Sequence, residues 1–115
     1  MKKIVVINSE IFPTKEREKN YFASIREIIS KKGKTPCRVV FHNKKTDNPK
    51  NLKNEISQKP DCVIFDHCGK ATVKKVNSSL CSKINEKTLV LSIGSEHDVP
   101  GVKKIKSLSE VTEIQ

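Results

Sequence analysis

Apolar residues follow two rhythms along this chain. Lys3 to Ile7, Cys37 to Phe41, Cys62 to Asp66 and Thr88 to Ile93 are short, nearly unbroken apolar runs. Between them lie longer stretches in which apolar residues recur every three or four positions. The first rhythm predicts strands covered on both faces, as in a parallel sheet, and the second predicts amphipathic helices.

Each predicted helix has its own punctuation. Thr14 can cap a helix after Pro13, with Glu16 and Glu18 at the positive end of its dipole. Tyr21, Phe22, Ile25, Ile28 and Ile29 make its apolar stripe, and Gly33 closes it behind Lys31 and Lys32. Asn48 with Pro49 opens a second helix through Lys59, with Leu52 and Ile56 one turn apart and Pro60 as its stop. From about Ala71 to Ile84 the residues Val73, Val76, Leu80 and Ile84 share a third helical face.

Strand and helix thus alternate strictly, which implies parallel strands joined by right-handed crossovers. The last part departs from this pattern. Only Gly94 to Gly101, interrupted by Pro100, separates Ile93 from a fifth strand at Val102 to Ile105. That is short for a crossover containing a helix, so a loop or shortened helix is expected there. A final short helix over Leu108 to Ile114 is capped by Ser107 or Ser109. One α/β domain over residues 1–115 is the expectation.

Composition changes this picture little, but charge adds something. The chain carries +10 overall, and residues 1–60 hold 15 Lys and Arg against 6 Asp and Glu. A field of that sign attracts nucleic acid, anionic surfaces or acidic proteins. Lys31, Lys32, Lys34, Lys44 and Lys45 are the candidate nucleic-acid contacts, yet they fall near opposite ends of the second strand. With few aromatic residues to stack on bases, non-specific and salt-sensitive binding is the form expected. The four Cys at 37, 62, 68 and 81 form no CxxC pair, so no zinc site or disulfide framework is expected. The apolar stretch after Met1-Lys2-Lys3 is too short for a signal peptide, and no run is long enough to span a membrane. A cytoplasmic protein, monomeric or homodimeric, is expected.

In a parallel sheet the carboxyl ends of the strands collect Asn8, Ser9, Glu10, His42, Asp66, His67, Cys68, Ser92 and Ser95 on one rim, where open α/β sheets bind ligands. Asp66-His67-Cys68-Gly69 could also be a nucleophilic cluster, with His67 or His97 as base to a Cys68 thiol. Neighbouring residues at a strand end rarely point at one another, and no phosphate-binding glycine loop accompanies them. A metal held by His67, Cys68 and His97 is less expected still.

The alternation of elements, Ile4-Val5-Val6-Ile7-Asn8-Ser9-Glu10 and the Asp closing the third strand resemble the receiver domain of two-component response regulators. The resemblance implies a three-layer, flavodoxin/CheY-like sandwich with a five-stranded parallel sheet of order 2-1-3-4-5. It implies Asp66 as phosphoacceptor, Ser92 as the hydroxyl residue, Lys106 as the lysine after the fifth strand and Glu10 as a third acidic position. Asn8 and Ser9, however, stand where the family has its acidic Mg²⁺ ligands, so at most weak Mg²⁺ binding is expected and no cofactor. Without that metal, phosphoryl transfer to Asp66 lacks its charge neutralisation. The expected function is therefore a stand-alone, receiver-like signalling module that works by contact with a protein partner. The alternatives are a basic nucleic-acid-associated factor, or a small flavodoxin-like enzyme using Asp66, His67 and Cys68.

Overall fold

A computed structural model describes residues 2–32, 37–83, 88–94 and 99–106. Five parallel strands, β1 (Lys2–Asn8), β2 (Cys37–Asn43), β3 (Cys62–Asp66), β4 (Leu89–Ile93) and β5 (Lys103–Ile105), form one sheet in the order β2-β1-β3-β4-β5. Three helices lie between them: α1 (Lys15–Lys32), α2 (Pro49–Ser57) and α3 (Lys70–Lys83). This is the doubly wound α/β arrangement, with strand order reversing between β1 and β3.

Unbroken apolar runs become central strands because both faces of the sheet are covered. Ile4, Val5, Val6 and Ile7 are all fully buried, as are Val63, Ile64 and Phe65. Successive side chains alternate between two cores. Val5, Ile7, Val63 and Phe65 pack with Leu52 and Ile56 of α2 and with Val73 and Val76 of α3. Ile4, Val6, Ile64, Leu91 and Ile93 pack with Ile25 and Ile29 of α1, flanked by Tyr21, Phe22 and Phe41. Burying each such aliphatic side chain stabilises the fold by about 1.5–3 kcal/mol.

The helix caps form as the sequence requires. Thr14 Oγ1 accepts from Arg17 N at 3.1 Å, and Asn48 Oδ1 from Lys50 N at 3.0 Å with Pro49 at the first turn. Ile28 belongs less to the buried stripe than expected: it is 38% exposed, while Ile25 and Ile29 are 4%. α2 stops at Ser57, two residues before the expected Lys59, which turns the chain toward Pro60 with φ 57°.

β2 extends two residues past Phe41, where the apolar run ends. His42 and Asn43 continue the ladder opposite Ile7 and Asn8 and are 3% and 0% exposed. Polar identity misled here because these side chains are covered by the tight turn that follows. Lys44 N donates to Asn8 O at 2.8 Å, and Asp47 Oδ2 accepts from Asn43 N at 2.8 Å.

Between β4 and β5 no helix occurs among the described residues. Val99, 8% exposed, seals the α3 side of the core. It is followed by a turn in which Val102 N reaches Val99 O at 3.1 Å and Gly101 adopts φ 82°. Asn77 of α3 anchors that turn by donating to Pro100 O at 3.1 Å. Gly33, Ile84 and the last helix expected at Leu108 to Ile114 lie outside the described residues. No described helix is long and apolar enough to cross a membrane.

Candidate functional site

The strand register fixes what can meet at the carboxyl rim. Asn8 pairs with Asp66 across β1 and β3, and Asp66 pairs with Ile93 across β3 and β4. Both polar side chains lie on the α1 side of the sheet. Asp66 is 2% exposed and Asn8 0%. Asn8 Nδ2 donates to Asp66 Oδ2 at 2.8 Å, and the hydroxyl of Tyr21, nearly two turns into α1, donates to the same oxygen. His67 Nδ1 lies 2.7 Å from the other oxygen, Oδ1. Both oxygens of a carboxylate removed from water are therefore satisfied by side chains, as burial of a charge demands.

The hydroxyl of Tyr21 is held protonated far beyond the ordinary tyrosine range. Burial is the main cause, followed by its hydrogen bond to Asp66 and the negative charges of Asp66 and Glu10. A phenolate there would face a carboxylate without its bridging proton. Tyr21 was expected only as a member of the apolar stripe. Its position nearly two turns into a helix that packs over the end of β3, together with its single hydroxyl, is the signal that could have placed it here.

The loop from β1 to α1 is tied to this cluster. Asn8 Oδ1 accepts from Glu10 N at 2.7 Å, and Asn43 Nδ2 donates to Glu10 O at 2.9 Å and to Glu18 Oε2 at 3.0 Å. Phe12 closes it against Tyr21 and Phe22, with ring centroids 5.3 and 6.0 Å away. Phe22 in turn stacks on Phe41 at 4.5 Å, beneath the guanidinium of Arg26. Between the tethered Glu10 backbone and the packed Phe12 ring, Ile11 has 74% of its surface in solvent.

His67 takes a left-handed conformation, φ 53°, which turns the chain off β3. Its backbone N–H donates to Ile93 O at 3.0 Å, and its ring lies over Gly94, where an added Cβ would come within 2.6 Å of Cδ2. Gly94 itself has φ 69°, so two requirements select glycine there. The Glu10 carboxylate lies 3.5 Å from His67 Nδ1, and both side chains are about half exposed.

Cys68 is held as a buried, hydrogen-bonded thiol. It is 5% exposed, and its Sγ donates to Ile7 O at 3.2 Å and receives Ser9 Oγ at 3.4 Å. Burial pushes the thiol pKa up, and the Asp66 charge adds to that, outweighing the hydrogen bond from Ser9. His67 turns to Asp66 and Glu10 rather than to the sulfur.

The remaining rim residues are not all brought together. Ser92 pairs with Phe65, so its side chain shares the α2 and α3 side of the sheet, opposite to Asp66. Its hydroxyl is buried and has no hydrogen-bond partner among the described residues. The expected grouping of Ser92 with Asp66 fails because a one-residue offset in a strand reverses the face. Lys106 follows directly on β5, one position beyond the Ile93–Ile105 pair, and is exposed. Ser95, His97 and Lys34 lie outside the described residues. Lys31 and Lys32 end α1, while Lys44 and Lys45 sit in the turn after β2 at the other end of that strand. The strand between them spans roughly 20 Å at about 3.3 Å per residue. Among the described residues, no three His, Cys, Asp or Glu side chains are grouped as metal ligands.

Comparison with protein-family models, with curated proteins and with solved structures gives no match for this chain.

Proposed function

We propose that this chain is a receiver-like regulatory module that works through protein contact and is held in a single state without phosphorylation. The observation that carries this reading is the saturation of Asp66. A phosphoacceptor must offer a carboxylate oxygen to an incoming phosphorus and needs cations around it to neutralise the phosphoryl oxygens. Asp66 instead receives Asn8, Tyr21 and His67 on its two oxygens while buried beneath α1. Neutral Asn8 and Ser9 stand where the resemblance calls for acidic metal ligands.

In a switchable receiver, a modified acid rearranges neighbouring loops. Here the same acid clamps α1 to the sheet, and the clamp presets the loop that displays Ile11. A large apolar side chain projecting from a backbone fixed by Asn8 and Asn43 is pre-organised for docking, because little ordering entropy is left to lose on contact. The basic surface favours a partner with complementary acidic residues.

The test combines two measurements. Acetyl phosphate with Mg²⁺ should leave the intact mass unchanged, and beryllofluoride should leave the amides of Asn8, Asp66 and Ser92 unmoved. A photo-crosslinking residue at position 11 should capture one discrete protein in cells, with capture lost on Ile11→Ser in an equally stable chain. Stoichiometric phosphorylation of Asp66 would return the module to the switchable class, and absence of any position-specific crosslink would remove the contact reading.

A further inference from the structure

Among the described strands, β2 and β5 are the two edges of the sheet. An edge strand turns a row of backbone N–H and C=O groups outward, a template for pairing with another chain unless shortness, charge or proline guards it. β5 carries such guards: it runs only from Lys103 to Ile105, and two of its residues are lysines. β2 runs from Cys37 to Asn43, with Val39, Val40 and Phe41 at its middle and Arg38 as its one Lys or Arg. The longer and more apolar edge is the unguarded one.

The hydrogen bonds that end β2 fix which residues turn outward. Lys44 N donates to Asn8 O at 2.8 Å, toward β1. On the other side, Asn43 N donates to Asp47 Oδ2 at 2.8 Å and Asn43 O accepts from Asp47 N at 2.8 Å. The direction alternates along a strand, so Arg38, Val40 and His42 bond toward β1, while Val39 and Phe41 turn both backbone groups away from it. No described strand stands on that side. The side chains carry a second signal. Val39 and Phe41 pack against the α1 core, whereas Val40, half-buried on the opposite face, belongs to neither core.

We propose that β2 pairs antiparallel with β2 of a second copy of this chain, about a two-fold axis at Val40, so that the two sheets join into one. In this register Val39 N–H faces Phe41 O of the second copy, Phe41 N–H of that copy faces Val39 O, and the two-fold repeats both bonds. Val40 meets its own counterpart as a non-hydrogen-bonded pair, with Cα atoms about 4.5 Å apart, and so covers the side chain that neither core covers. Arg38 falls opposite His42 of the second copy, near Asp47, whose charge acts on that histidine, and not opposite another Arg38. This charge complementarity favours a copy as the occupant. The net charge of +10 opposes association, but at physiological salt it is screened beyond about 8 Å. A contact made mainly by one strand is small, so the dimer is reversible. The inference uses neither Asp66 nor Ile11, and it stands or falls separately from the regulatory reading built on them.

The experiment combines sedimentation equilibrium with amide hydrogen exchange on the full chain, from about 5 µM to about 500 µM. Monomer and dimer should interconvert over that range. Exchange at the amides of Val39 and Phe41 should slow by about tenfold or more as the dimer fills, while that of Val40, bonded toward β1, is slow throughout. In a mixture of isotope-labelled and unlabelled chains, the Hα of Val40 should give a cross-copy NOE to the Hα of Val40. Val39→Pro removes an outward N–H without touching the β1 ladder, and should weaken the dimer by about tenfold or more while unfolding stays cooperative. Val40→Lys sets two ammonium groups face to face across the axis and should weaken it about tenfold. A chain that stays monomeric at the highest concentration, or a dimer that leaves exchange at Val39 and Phe41 unchanged, would overturn the proposal. Protection of those two amides at every concentration would mean that the chain covers its own edge, and would overturn it as well. So would their protection by an added peptide of alternating Glu and Val in a chain that remains monomeric, which would assign the edge to an acidic strand of another protein.

Discussion

The hydroxyl of Tyr21 donates to Oδ2 of Asp66, joining the first helix to the end of the central strand across 45 residues of sequence. Asn8 donates to the same oxygen from the neighbouring strand. Helix, first strand and third strand therefore meet at one buried carboxylate, and the loop bearing Ile11 hangs from the junction.

Tyr21 is the chain's single tyrosine, and there is no tryptophan, so phenolate absorbance near 295 nm reports this one side chain. The folded protein should show no phenolate signal at pH 10, where an exposed tyrosine is half ionised. The raised pKa favours the neutral folded form, so its stabilisation is complete below pH 10 and is lost as pH rises through the folded value. Tyr21→Phe should abolish that alkaline loss. A normal titration midpoint in native protein would break the proposed link to Asp66.

Asp66→Ala should cost about 2–4 kcal/mol in urea unfolding, because it strands the Tyr21 hydroxyl and the Asn8 amide away from water. Asp66→Asn should cost less, since its carbonyl still accepts from one of them. Combining Tyr21→Phe with Asp66→Ala should be less than additive by about 1 kcal/mol, as for residues sharing a hydrogen bond. Strict additivity would mean the two do not cooperate.

His42 is kept below its ordinary pKa by burial, partly offset by the Asp47 charge. The unfolded chain then binds a proton before the folded one as pH falls. Its stabilising share is complete above the unfolded value near 6.5 and is lost as pH drops through the folded value. His42→Gln should flatten the stability profile in that acid window, measured by denaturant midpoint. An unchanged slope would assign the acid sensitivity to other groups.

Gly94→Ala should destabilise by about 1–3 kcal/mol, combining a positive φ with the close approach of the His67 ring. In a His67→Ala background the clash disappears, and only the backbone cost of about 1 kcal/mol should remain. Equal losses in both backgrounds would show that packing against His67 contributes nothing.

The strand order and the sandwich architecture were legible in the chain. They follow from local signals: unbroken apolar runs and capping residues such as Thr14 and Asn48. Asp66 at the end of β3 was legible for the same reason, as was the interior role of Cys62. What the apolar pattern could not state was partnership. Tyr21 looked like one more residue of a stripe, the second strand seemed to end with its apolar run at Phe41, and Ser92 looked like a neighbour of Asp66.

Those matters were decided by register and packing. Hydrophobic periodicity determines which segments fold and which face each buries, since it depends on residues close in sequence. Whether a hydroxyl at position 21 reaches a carboxylate at position 66 depends on how α1 lies across the strand ends. Whether Ser92 faces Asp66 depends on a single-residue alignment of β3 and β4. Contacts between distant segments are fixed only when the sheet assembles, and a polar group can be buried wherever that assembly supplies its partner.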